Sequence, residues 1–231
     1  MTGSPLSVTA LFHLGPVAIT EPVVVTWGLM LLLGGGSRWL TRCLILRPGP
    51  TQAALELLVE TIAAQIRDTM GVAPERYLPL IGTLFLFIFF ANWSGLVPGV
   101  EPPTAHMETD AALALIVFVA MVYFGIRARG VRGYLATFAE PTYVMLPLNL
   151  VETITRTFSM VVRLFGNVMS GVFLIGIALS LVGLLVPVPL MALDLLTGAV
   201  QAYIFTVLAM VFIGGAAGED NEGNDNKDRT P

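Results

Sequence analysis

Residues Asn149 to Ser170 read NLVETITRTFSMVVRLFGNVMS, and this stretch decides what kind of molecule the chain is. Asn149, Glu152, Arg156, Ser159, Arg163, Asn167 and Ser170 recur at spacings of three or four, which sets them along one face of a helix. Ile, Phe, Met, Val and Leu fill the opposite face. The segment is a lipid-compatible helix with one polar stripe, centred on Arg163. A charge at membrane depth is expensive, so it points to function.

Composition agrees with that reading. Of 231 residues, 55% are hydrophobic and 12% charged, and several apolar runs reach the roughly 18–20 residues that cross a bilayer. The expected fold class is an all-α integral membrane protein. The net charge of −4 owes much to acidic residues after Gly218, so the body is nearly balanced and carries no footprint for nucleic acid. The single cysteine, Cys43, excludes an internal disulfide, and no Cys or His cluster has metal-ligand spacing. There is no GxxxxGK[ST] phosphate loop either. No cofactor, no metal and no nucleotide chemistry are expected of this chain.

Working outward, five spans emerge. The first 22 residues lack Lys and Arg, unlike the basic start of a cleaved signal peptide, so Val23 to Trp39 is expected to stay as the first span. Arg38, Arg42 and Arg47 stand at its end and just beyond, which places the N-terminus outside. Residues 51 to 70 carry Glu56, Glu60, Gln65 and Asp68 at helical spacing among Leu, Val and Ile. They predict an amphipathic cytoplasmic helix, lying on the membrane surface or against a partner subunit. The second span runs from about Tyr77 to Val97, and a loop with Glu101, Glu108 and Asp110 but no Lys or Arg falls outside. His13 and His106 read as solvated loop histidines.

The third span, about Ala111 to Ile126, returns to a basic cytoplasmic loop with Arg127, Arg129 and Arg132. From Glu140 to about Val182 the polar-striped helix is roughly twice as long as a hydrocarbon core is thick. Pro141 and Pro147 mark the expected bends. Pro187 and Pro189 make the outer turn, and the last helix, about Leu190 to Ile213, aligns Asp194, Thr197 and Gln201 on one face. The last two spans thus form a long tilted hairpin. Residues 1–216 make one membrane-embedded unit, and 217–231 a disordered acidic cytoplasmic tail.

Arginine does not lose its proton in proteins, so Arg163 acts as a fixed positive charge. Glu152 and Arg156 stand four apart with the acid first, the favourable order for a helical ion pair. Arg163 has no acid within four residues, which leaves Asp194 and Gln201 as candidate partners within the chain. Glu152 and Asp194 fall on opposite sides of Arg163. That arrangement suits two aqueous half-pathways separated by a charge that a cation does not pass. The plainer alternative is that these groups only join helices.

The run VVRLFGNVMSG resembles the signature of subunit a of the F-type ATP synthases. RPGPTQAALELLVETI, PLIGTLFLFIFFANWSGLVPG, PLNL and LTGAVQAYIF extend the resemblance over roughly residues 20 to 213. It implies an ion-translocating stator subunit of the Fo sector, in which Arg163 matches the essential arginine, Asn167 the asparagine of RLFGN and Gln201 the glutamine facing the arginine. Ser159, Ser170, Glu152, Arg156 and Asp194 would line the pathways. The implied partners are c-ring subunits with a carboxylate facing Arg163, the b subunits of the peripheral stalk, the rest of the F1Fo complex, the lipid bilayer of a bacterial inner membrane, and H+ or Na+. The subunit would couple ion flow to rotation without being catalytic itself.

Two departures stand out. The family commonly has an ionisable residue after the SG of the signature, where this chain has Val172, so Asp194 is expected to serve the outer pathway alone. Glu152 falls off the usual family offset from the arginine. The segment EPPTAHMETDAALAL and the acidic tail resemble the N-type ATPase branch, in which sodium transport is an option. The competing class is a secondary transporter that binds an anionic substrate at Arg163. It calls for internal repeats or paired broken helices, and no convincing repeat relates the two halves. A structural scaffold would leave Arg163 replaceable.

Overall fold

The computed structural model describes residues 10–14, 17–42, 49–97, 100–139, 145–182 and 187–217. The expectations for Cys43, Arg47, Pro141 and the acidic tail fall outside them. Two short antiparallel strands come first, β1 (Ala10–Leu14) and β2 (Val17–Thr20), with His13 opposite Ala18. His13 is therefore a strand residue and not a loop histidine. Six helices follow: α1 Glu21–Thr41, α2 Pro50–Met70, α3 Leu78–Trp93, α4 Met107–Ala139, α5 Met145–Val182 and α6 Pro187–Ala217.

The molecule is an all-α integral membrane protein, with the β1–β2 hairpin a minor addition. Among the described residues α3, α4, α5 and α6 are long and apolar enough to cross a membrane. α1 is helical over the expected first span, but Gly34, Gly35, Gly36 and Arg38 dilute its apolar character, and it does not join those four.

Helix ends differ from the sequence reading for identifiable reasons. Pro50 and Pro187 each open a helix, and Pro147 and Pro189 lie in first turns, where backbone N–H groups have no intrahelical acceptor to lose. Pro147 therefore bends nothing, and α5 runs on for 38 residues. At 1.5 Å per residue that is about 57 Å. The break falls in α4 instead, at Gly130, whose φ of 71° and ψ of 165° suit only glycine. Arg127 and Arg129 are thus helical. Beyond the break the chain folds back, and a Cβ at Gly125 would lie 2.7 Å from Tyr134 Cδ2.

α6 is the hub, packing against α2, α3, α4 and α5. Ala202, Phe205, Ala209, Met210 and Ile213 on α6 meet Ile66, Ile81, Leu84, Ile88, Val117, Met160 and Leu164 in one apolar cluster. Small side chains let these backbones approach: a Cβ at Gly198 would lie 3.0 Å from Asn92 Cβ. α2 packs its Ala63 and Ile66 into the chain's own bundle, and Gln65 lies 3.3 Å from Tyr203 of α6. The Ala63 and Ile66 side chains are covered by this chain, a contact the two expected placements had not considered, while Leu55, Leu57 and Val59 stay exposed. Of the four long apolar helices, α5 is the least buried and α6 the most.

Candidate ion-translocation site

α5 presents three kinds of surface. Met160, Val161, Leu164 and Val168 face the core. Leu150, Ile154, Phe158, Val162, Leu174 and Ile177 are exposed and apolar, so they meet lipid or an apolar partner. Between these surfaces, Glu152, Thr155, Arg156, Ser159 and Arg163 line an open groove of about 620 Å³, closed on its far side by Leu208 and Phe212 of α6.

Inside the groove, charges are paired at one end only. Glu152 and Arg156 form the expected ion pair, half exposed, and the Arg156 guanidinium lies 5.6 Å from the centre of the Phe212 ring. Such an exposed pair contributes little stability, about 0.3–0.5 kcal/mol in water. Arg163, two turns on, is exposed and has no hydrogen bond or ion pair among the described residues. Neither Asp194 nor Gln201 bonds to it, contrary to their candidacy as its partners. A second cavity of about 290 Å³ shares Glu152 and Arg156 and adds Asn149, Thr153 and Tyr134, near the start of α5.

The other half of the bundle holds the remaining polar groups. Asp194 packs against Gly171 so closely that a Cβ there would lie 2.7 Å from the Asp194 carboxyl carbon. Gln201 is buried, and among the described residues its Nε2 has no hydrogen-bond partner, nor has Asn167 Nδ2 on α5. Ser170 and Thr197 are satisfied by their own helices, Ser170 donating to the Asn167 carbonyl at 2.8 Å and Thr197 to that of Asp194 at 3.0 Å. The polar stripe of α5 is therefore split. Glu152 to Arg163 faces the groove, while the amide nitrogen of Asn167 is buried.

This architecture has known relatives. The family model of the ATP synthase A chain matches residues 23–214. The chain belongs to the ATP synthase A chain family. It is 58% identical to "ATP synthase subunit a 2" of Bradyrhizobium sp. (strain BTAi1), over 96% of this chain and all of that protein. It is 49% identical to "ATP synthase subunit a 1" of Chlorobaculum parvum, covering 89% of this chain and 92% of the relative. "ATP synthase subunit a" of Albidiferax ferrireducens is 47% identical, with 87% and 88% covered.

The bundle also holds a polar layer that the sequence pattern does not reveal. Asn92, near the far end of the second expected span, is buried, accepts a hydrogen bond from the Thr104 hydroxyl at 2.7 Å and donates to the Gly198 carbonyl at 2.8 Å. Thr104 and Asp110 are wholly buried. His106 is largely buried as well, its Nε2 3.5 Å from Glu101, so it is not a solvated loop side chain. The signal available in the sequence was the turn chemistry of Pro102 and Pro103, which folds this loop back onto the helices.

Proposed function

We propose that this membrane subunit of an F-type ATP synthase acts as the ion-translocating stator, with Arg163 as the fixed charge between two aqueous half-pathways. The observation that carries the reading is the exposed, unpartnered Arg163 on the least buried of the long apolar helices. A guanidinium presented to the apolar phase costs on the order of 3 kcal/mol on insertion scales, so it needs an anion from outside the chain. A carboxylate on each subunit of a rotating c-ring meets that need. At about 4 Å and an effective dielectric of 20, the attraction is roughly 4 kcal/mol, about a thousandfold in an equilibrium.

The groove through Ser159, Arg156 and Glu152 forms the inner half-pathway. Asn167, Ser170, Asp194 and Gln201 belong to the outer one, where water meets the unpaired amide donors. A cation enters outside, rides the ring carboxylate around, and leaves inside because Arg163 displaces it. The bacterial inner membrane, an outside N-terminus, a cytoplasmic tail, α1 as a fifth span and the peripheral-stalk b subunits complete the assembly. Proton or sodium is the transported ion, and the N-type branch is the proposed subgroup. As a member of this family the chain is not the catalytic part; nucleotide chemistry belongs to the rest of F1Fo.

Arg163→Ala is the test. The complex is expected to assemble and hydrolyse ATP, while ion-driven ATP synthesis in vesicles falls to background. Synthesis at the unmodified rate would overturn the reading.

A further inference from the structure

Asp110 has no part in the two half-pathways described above. It stands in the first turn of α4 with a relative exposure of 0%. Both carboxylate oxygens are buried without a hydrogen-bond partner among the described residues. Its backbone is held in place: the His106 carbonyl accepts from the N–H groups of Thr109, at 3.1 Å, and Asp110, at 3.4 Å. The turn Pro103–Ala105 just before it is buried and packs against α3, α4 and α5. A carboxylate sealed in a core without a partner is among the costliest side chains a fold can hold, unless a proton, a cation or water meets it. A position serving packing alone is better filled by an apolar residue.

Its surroundings point the same way. The end of the bundle where α3 finishes and α4 begins also holds Trp93, whose Nε1 is buried without a partner among the described residues. Thr104 and Asn92 carry a hydrogen-bonded bridge from the turn before α4 to Gly198 of α6. Gly198 lies one turn from Asp194 and three residues from Gln201. Polar side chains therefore lead from the turn before α4, through α3, to the face of α6 that carries Asp194 and Gln201.

We infer that Asp110 is the entry carboxylate of the outer half-pathway. It binds the incoming monovalent cation, a proton or sodium, and releases the same ion toward water and the carboxylate of Asp194, so no bond other than the ion's own contacts is made or broken. This inference rests on the stator reading of Arg163.

The test uses the whole complex in vesicles, with F1 removed so that passive ion conduction under an imposed potential is read directly. Asp110→Asn keeps size and polarity but cannot exchange the ion. Conduction is expected to fall about a hundredfold, the scale on which a positioned transfer group acts. Asp110→Glu is expected to restore most of it. Undiminished conduction in Asp110→Asn, or loss in both variants, overturns the inference, the latter because it marks a packing role. Arg163→Ala in vesicles that retain F1 separates the two claims: if it fails to block ion-driven synthesis the stator reading falls, and if it blocks while Asp110→Asn conducts in the F1-free vesicles, only the role of Asp110 falls. Should Asp110→Asn not assemble, Asp110→Ser takes its place, with the same loss of conduction expected and undiminished conduction overturning the inference.

Discussion

At Gly171, one missing methyl group sets where a carboxylate sits. Asp194 occupies the space a side chain there would take, with its carboxyl carbon 2.7 Å from the would-be Cβ. Gly171→Ala is therefore expected to push the Asp194 head group aside without disturbing assembly, lowering ATP-driven ion uptake severalfold in vesicles. Unchanged uptake would detach Asp194 from the pathway. Asp194→Asn is expected to slow transport directly, and a normal rate there would leave Asp194 as a helix-joining group. The two substitutions test one carboxylate by displacement and by removal of charge. Sequence placed Asp194 on the correct helix face, but its contact with Gly171 joins two helices and was not legible in either.

Among the elements, α4 and α6 show how backbone and side chain divide the work. Gly130 adopts a conformation closed to other residues, so Gly130→Ala is expected to cost about 1–3 kcal/mol and lower the temperature at which the subunit leaves the complex. An unchanged dissociation temperature would mean that the fold-back beyond α4 adds nothing. Asn92 ties α3 and the turn before α4 to α6 through two hydrogen bonds. Asn92→Ala strands the buried Thr104 hydroxyl and is expected to destabilise by about 1–3 kcal/mol, measured in the same melting experiment. Element existence was legible because 18-residue apolar runs and helical periodicity are strong signals. Their ends were not. Prolines that looked like breakers sit in first turns, where they are tolerated, while a glycine breaks α4.

For the whole molecule, the open flank of α5 matters most. Arg163 and a row of apolar side chains face away from the core, so any path past Arg163 needs a surface that this chain does not supply. Vesicles carrying this subunit alone are accordingly expected to hold an imposed ion gradient, and leakage at the rate of the complete Fo sector would contradict a shared path. The coupling ion is a property of the assembled machine. Uptake of labelled sodium that persists with a protonophore marks sodium, and its collapse marks protons.

The sequence by itself determined the class, the long apolar helices, the polar stripe through Arg163 and the Glu152–Arg156 pair, because each follows from composition or from spacing within one helix. Tertiary structure alone decided that α2 packs on α6, that Asn92 and Thr104 brace the end of the bundle, that Asp110 is sealed inside, and that Asp194 and Gln201 leave Arg163 unpaired. The physical reason is reach. Periodicity reports which residues share a face, whereas burial and hydrogen-bond satisfaction depend on what another helix, distant in the chain, brings against that face.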